Sequence, residues 1–254
     1  MLQEGEGFGA NRSLAGQRII VEFSSPNTNK PLHLGHLRND AIGMAISRIL
    51  EACGAEVRRV NLINDRGIHI CKSMLAYREF GQGRTPQELG IKSDHLVGDF
   101  YVRFAQWAQE NPQAEELAQQ MLRAWEAGDP EVRALWKTMN RWAIDGINET
   151  YRKTGVRFDQ VYLESETYLL GRAEILAGLQ RGVFSRDPDG SVWADLAAQG
   201  LDRKVLLRSD GTSLYVTQDV GTAVQRYRDW PCLLYTSDAA DDLLCVDLGG
   251  RRII

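Results

Sequence analysis

The sequence has no run of apolar residues close to the ~20 that a membrane-spanning helix requires. Its amino terminus also lacks the basic stretch and following apolar stretch of a secretory signal, so the expected compartment is the cytoplasm. Cysteine is scarce: Cys53, Cys71, Cys232 and Cys245 are spread over 254 residues, none at C-x-x-C spacing, and there are only four histidines. That pattern argues against both a disulfide framework and a structural zinc site. A basic surplus is missing too. Thirty Lys and Arg face 34 Asp and Glu, a net charge of −4, so composition leaves no nucleic-acid footprint, although a local basic face is compatible with it. What remains is 43% apolar and 25% charged residues, the balance of a folded domain. The length suits one large domain or two small ones, and there are no internal repeats.

Residues 1–17 are Gly-rich and polar and read as a lead-in. Residues 18–23 (RIIVEF) are a β-branched run that predicts a buried strand. Residues 24–31 hold Ser, Asn, Thr and two prolines and predict a loop. From 34 to 53, apolar residues recur at helical spacing (Leu37, Ala41, Met44, Ala45, Ile49), and Gly54 ends the helix. A second strand over 57–63 completes a βαβ unit and implies a parallel sheet. A helix over 68–80, a loop over 81–90 and a mostly helical stretch over 95–155 follow. Within that stretch Asp129-Pro130-Glu131 predicts a helix start. The stripe Val132, Leu135, Trp136, Met139 and Trp142 is expected to pack in a core rather than to stack bases. Further on, the pattern predicts a hairpin over 182–196 about Asp189-Gly190, a strand over 204–207 and a turn at Asp210-Gly211. A short strand over 214–216 and a helix from Gln218 complete the reading.

The chemistry is concentrated in Pro31-Leu32-His33-Leu34-Gly35-His36, where the first strand's loop becomes a helix. Ligands of parallel sheets bind at the carboxyl ends of strands, and a helix N-terminus there offers free N–H groups to phosphate. Gly35 lets a nucleotide approach the backbone. His33 and His36 lie three apart, on one face of the first turn, where two imidazole N–H donors could stabilise charge on a phosphate. A bare H-x-G-H can also be an ordinary helix start with two incidental histidines. Its place at the first βα junction favours the nucleotide reading.

Glu22-Phe23-Ser24-Ser25-Pro26-Asn27 and Lys30-Pro31-Leu32-His33-Leu34-Gly35-His36-Leu37-Arg38-Asn39 together resemble the signature of class I arginyl-tRNA synthetases. Three further blocks are similar: Asn64 to Ile70, Tyr162 to Glu166, and Arg208 to Asp219. The resemblance covers roughly residues 10–231. It implies an α/β fold: an incomplete Rossmann-type parallel-sheet catalytic domain with a largely helical insertion and a β-hairpin. Residues 1–17 would be the lead-in or a remnant of an N-terminal domain. Residues 18–84 would be the first half of the catalytic domain, 85–200 a connective insertion, and 201–231 the start of the second half. The family activates arginine with ATP, accompanied by Mg2+, and ligates it to tRNA(Arg).

On that resemblance His33, His36 and Lys30 are expected to be catalytic at the phosphates. Ser24, Gly35 and Asn39 would join the two histidines around ATP. Glu22, Asn27, Tyr215 and Asp219 match positions that hold arginine, and carboxylates are the natural bidentate partners of a guanidinium. Asp65 and His69 could belong to the surrounding shell or to helix capping. No metal-binding residue is expected, and the whole protein would be a monomer without membrane contact. The family's K-M-S-K-type loop and anticodon-binding domain are not in the sequence, so this segment alone is expected to be inactive. H-x-G-H is shared with nucleotidyltransferases, which leaves another adenylyl-transferring enzyme, or a non-catalytic synthetase-derived binding module, as alternatives.

Residues 232–254 (CLLYTSDAADDLLCVDLGGRRII) carry no amphipathic period. They resemble the translated read-through of a transposase-type sequencing-library adapter, two constant parts around the variable LLC. They are expected to be non-native, and no function is assigned to them.

Overall fold

The computed structural model describes residues 7–232, apart from 210, 212 and 213, and residues 234–237. The chain forms two compact units, Met1–Val161 with Leu234–Ile254, and Tyr162–Leu233.

In the first unit β1 (Arg18–Glu22) and β2 (Glu56–Ile63) pair in parallel, with Arg18 opposite Glu56 and Glu22 opposite Val60. The connection between them is α1 (Leu34–Ala52), so the expected βαβ unit forms. Ile19, Ile20 and Val21 are all buried, as a strand covered on both faces requires. The helix lies close on the strand because Gly43 has no side chain: the Phe23 ring fills the space a Cβ there would need. The buried face of α1 is His36, Asn39, Asp40, Gly43, Met44 and Ser47. Ala41, Ala45 and Ile49, which carried the helical period, face outward.

Around this unit run α2 (Ile68–Phe80), a short α3 (Pro86–Leu89), α4 (Ser93–Glu110), α5 (Ala114–Glu126) and α6 (Pro130–Thr154). The loop expected over 81–90 thus contains one helical turn, started by a capping box in which Thr85 Oγ1 accepts from Glu88 N–H and Glu88 reaches back to Thr85. Asp129 caps α6 as expected, its Oδ1 accepting from Glu131 and Val132 N–H at 3.0 Å each. Met139 and Trp142 are buried among Ile70, Leu75, Leu96 and Phe104, so the aromatic stripe is core. A second cluster joins Ile19, Val21 and Phe23 of the β1 segment, Met44 of α1, and Ile147 and Tyr151 of α6. Through it α6 lies against the sheet.

The sheet has the order β3-β2-β1-β7. Its edge strand β3 (Gln160–Leu163), which the sequence did not reveal, begins at the end of the first unit. On the other side β7 (Leu234–Ser237) pairs in parallel with β1, Ile19 opposite Leu234. This strand lies inside the segment expected to be foreign. Ladder pairing uses main-chain groups and asks of the side chains only β compatibility, which Leu-Leu-Tyr-Thr-Ser has. The pairing therefore carries no information on the segment's origin.

The second unit holds α7 (Glu164–Thr167), α8 (Leu170–Gln180), an antiparallel sheet of β4 (Ser185–Arg186), β5 (Val192–Ala194) and β6 (Lys204–Leu207), and α9 (Tyr215–Asp229). The hairpin turns at Asp189-Gly190, with Gly190 at φ 92°. Helices α8 and α9 meet backbone to backbone: a Cβ on Gly171 would collide with the Thr217 carbonyl, and one on Gly221 with Gly171. The strand expected over 214–216 is instead the start of α9. Leu214 N–H donates to Thr217 Oγ1 at 2.9 Å, and that hydroxyl bonds the Leu206 carbonyl, which fixes a helix start against β6. Of the expected Asp210-Gly211 turn, Asp210 lies outside the described residues, while Gly211 has φ 78°.

Candidate functional site

The site is built at the carboxyl ends of β1 and β2. Helix α1 begins there with a capping box made of the two histidines. His33 is the cap residue, and its Nδ1 accepts the Gly35 N–H at 3.1 Å. His36 Nδ1 accepts the His33 N–H at 3.2 Å. An Nδ1 that accepts must lack a proton, so in each neutral ring the proton resides on Nε2. The rings lie 4.0 Å apart. The pair thus satisfies N–H groups at the helix start through its two Nδ1 atoms. His36 is buried and His33 half-buried. Gly35 is the residue whose N–H His33 holds, and Lys30 lies half-buried in the preceding loop. One helical turn on, Asn39 is buried beside the pair on α1.

Glu22 ends β1 and is only 8% exposed. After it the chain turns through Ser24 and Ser25, both left-handed at φ 75° and 47°. Such conformations cost a non-glycine residue about 1–3 kcal/mol and persist only where neighbours hold them. Ser25 Oγ donates back to Glu22 Oε1 at 3.2 Å. The Ser24 hydroxyl is fully buried and hydrogen-bonds Tyr151 Oη at 2.6 Å. Its side chain is therefore held in the interior. Beyond the turn Asn27 pairs with Asn64, the one continuing the β1 segment and the other β2. Thr28 N–H donates to the Asn64 carbonyl at 3.0 Å.

Asp65 is buried, and its carbonyl accepts from Trp136 Nε1 at 2.6 Å and Asn140 Nδ2 at 2.8 Å. Helix α2 starts from Gly67, which has no side chain to cap it. His69, at the second position of α2, is exposed, with Nδ1 3.0 Å from Tyr101 Oη. Desolvation holds its pKa below the usual histidine value, and the nearby cations Lys72 and Lys30 add to this. Tyr215 and Asp219 lie on α9 of the second unit, Asp219 exposed.

The sequence reading missed four residues at this site: Asn61, Trp136, Asn140 and Tyr151. Asn140 also hydrogen-bonds Thr28 Oγ1, so α6 holds both strand-end loops. A signal existed, since Asn140 and Tyr151 interrupt the apolar face of α6 and Asn61 is a polar residue in a β-branched strand. Polar groups at core positions are the exceptions that mark functional sites.

Asp40 is buried one turn beyond His36, and its carboxyl is pushed up from 3.8 to about 6 by desolvation, against the opposing pull of the Ser24 hydroxyl and of His36. The folded value lies above the unfolded one. The stability that the neutral acid confers is therefore complete below about pH 3.8 and is lost as the pH rises through about 6. Asp40→Asn, neutral throughout, is expected to stabilise the protein by on the order of 2 kcal/mol at pH 8, with the gain shrinking toward pH 5. Thermal melts of both proteins across that range check it; a gain that does not vary with pH refutes the buried titration.

Comparison with known proteins bears on this geometry. The family model described as "tRNA synthetases class I (R), catalytic domain" matches residues 1–245. An arginine–tRNA ligase of Treponema denticola is 64% identical over 233 residues, which are 91% of this chain and 40% of the relative. One of Treponema pallidum is 58% identical over 229 residues, 90% of this chain and 39% of the relative. The solved arginyl-tRNA synthetase of Thermus thermophilus superposes with a TM-score of 0.69 at 30% identity, over 88% of this chain and 38% of that one. The chain thus spans about 40% of the length of the curated relatives it matches. Among the described residues, no helix is long and apolar enough to cross a membrane.

Proposed function

The chain belongs to the class I arginyl-tRNA synthetase family, within its catalytic domain, and from this we propose that the whole protein activates arginine with ATP and ligates it to tRNA(Arg). The observation that carries the proposal is the histidine capping box: two imidazoles, both tautomers set by the backbone, at a helix N-terminus on the carboxyl edge of a parallel sheet. The same strand end carries the buried Glu22.

In the first step an arginine carboxylate oxygen attacks the α-phosphorus of ATP, and pyrophosphate leaves with the electron pair of the broken P–O bond. Negative charge grows on the phosphate oxygens. The Nε2–H groups of His33 and His36, the positive end of the α1 dipole, and Lys30 supply fixed positive potential for that charge. Gly35 leaves room for the phosphates to come near the backbone. Neither histidine needs to accept a proton. Glu22, oriented by Ser25, and Asn27 at the strand end are assigned to the arginine. In the second step a terminal ribose hydroxyl of the tRNA attacks the adenylate carbonyl and AMP leaves. Among the described residues no three metal-ligating side chains converge. We place the whole protein in the cytoplasm as a monomer, and we read residues 232–254 as adapter-derived, with no part in the chemistry.

The full-length protein is expected to catalyse ATP–pyrophosphate exchange that depends on arginine, with tRNA(Arg) present. Citrulline, which replaces the guanidinium by a neutral ureido group, should not support it. Exchange without any amino-acid dependence would instead indicate a nucleotidyltransferase, and no exchange at all a binding module; either outcome sinks the proposal.

A further inference from the structure

We propose that Tyr151 and Asn61 are positioning residues for Glu22, acting through the Ser24–Ser25 turn; the proposal rests on the arginine-activating reading and names what holds its substrate carboxylate in place.

Glu22 stands at the end of a strand, where the ladder no longer restrains a side chain. Its Oε1 accepts from Ser25 Oγ at 3.2 Å. A hydroxyl three residues along can reach back this way because the chain reverses through two consecutive left-handed residues, Ser24 and Ser25. Neither is glycine, so local preference opposes the turn and tertiary contacts must hold it. The contacts are specific. Asn61 on β2 bridges the turn to α6: its Oδ1 accepts the Ser25 N–H at 3.0 Å, and its Nδ2 donates to Tyr151 Oη at 3.2 Å. Having accepted from Asn61, Tyr151 Oη has its own proton available for Ser24 Oγ, 2.6 Å away. Ser24 and Asn61 are fully buried and Tyr151 is 5% exposed, so water cannot replace these bonds.

Tyr151 comes from α6, outside the βαβ unit, and its ring is held independently of its hydroxyl. It packs 5.2 Å from the Phe158 ring, which in turn lies 4.7 Å from Phe23. Removing the hydroxyl alone therefore leaves the packing and loosens the turn. The consequence should fall first on Glu22, because the Nδ1 bonds that orient the histidine pair are made within the start of α1.

The experiment is steady-state ATP–pyrophosphate exchange on the full-length protein with Tyr151→Phe, Ser25→Ala and the double variant. Tyr151→Phe is expected to raise the arginine KM about 3- to 10-fold, the worth of one or two hydrogen bonds. The ATP KM and kcat should change by less than about twofold. Ser25→Ala, which removes only the bond to Glu22, should show the same split. The double variant should lose no more than the larger single loss, because both act along one chain of contacts. Three results overturn the proposal: an unchanged arginine KM, proportionate changes in the arginine and ATP constants, or effects that multiply in the double variant. If Tyr151→Phe does not fold, Ser25→Ala, at a half-exposed position, decides by the same split. Absence of arginine-dependent exchange in the unmutated protein is a different failure and overturns the reading beneath the proposal.

Discussion

Replacing His36 by alanine is expected to slow arginyl-adenylate formation by about 10²- to 10³-fold, the scale on which one preorganised donor to a developing charge is felt. The dissociation constant for arginine should stay within about threefold, because on this reading the imidazole meets phosphate and not the amino acid. The structure adds a complication that the motif alone conceals. His36 is assigned two things: its Nδ1 accepts the His33 N–H and closes the capping box, and its Nε2 carries the ring proton proposed to meet phosphate. Alanine abolishes both, and loss of a cap by itself is worth about 0.5–2 kcal/mol of stability. His36→Asn separates them, since an amide oxygen can stand near the Nδ1 position while nothing replaces Nε2–H. Single-turnover formation of adenylate, with arginine binding measured in parallel, gives the outcome. If asparagine restores the rate that alanine loses, the histidine is a cap and the electrostatic role is wrong. If both variants bind arginine as poorly as they form adenylate, the division of the site between phosphate and amino acid fails instead.

What could be read beforehand followed from where local rules and tertiary demands agree. β1, α1, β2 and α2 came out at their expected places because burial, helical period and Gly54 all pointed the same way. The period on α1 nevertheless misled about its face. Ile49 is 62% exposed, while His36, Asn39, Asp40 and Ser47 are buried, so the helix turns a polar face inward at the site. A residue's polarity in one sequence does not say whether a protein partner waits for it. The same limit hid Tyr151 and Asn61, whose partners are 127 and 36 residues away from them in the chain. At Leu214 the local signal was contradicted outright. A Leu-Tyr-Val triplet favours a strand, but the Thr217 hydroxyl is engaged by Leu214 N–H and by the Leu206 carbonyl, and the helix starts there instead. The histidine pair was legible because its chemistry and its structural role use the same spacing. Three residues apart is both the reach of a capping box and one face of a helical turn.

Glu22→Gln is expected to raise the arginine KM by roughly 30- to 150-fold, the loss of a charge-assisted pair in a poorly hydrated site, worth about 2–3 kcal/mol. The substitution keeps the shape and removes only the charge. Glu22 is 8% exposed and its Oε1 is occupied by the Ser25 hydroxyl, so a glutamine can keep that contact through its carbonyl oxygen. Stability should therefore change little, and the ATP KM should be nearly unmoved, because the phosphate donors belong to the start of α1. A carboxylate at this strand end could face either cation of arginine, the guanidinium or the α-ammonium, and citrulline separates the two. If Glu22 meets the guanidinium, the variant should lose arginine affinity while competition by citrulline is almost unaffected, and the preference for arginine should narrow by the same factor. Parallel weakening of both ligands would move Glu22 to the α-ammonium end. An arginine KM unchanged in the variant would remove Glu22 from the substrate altogether, and with it the purpose assigned to the Ser24–Ser25 turn.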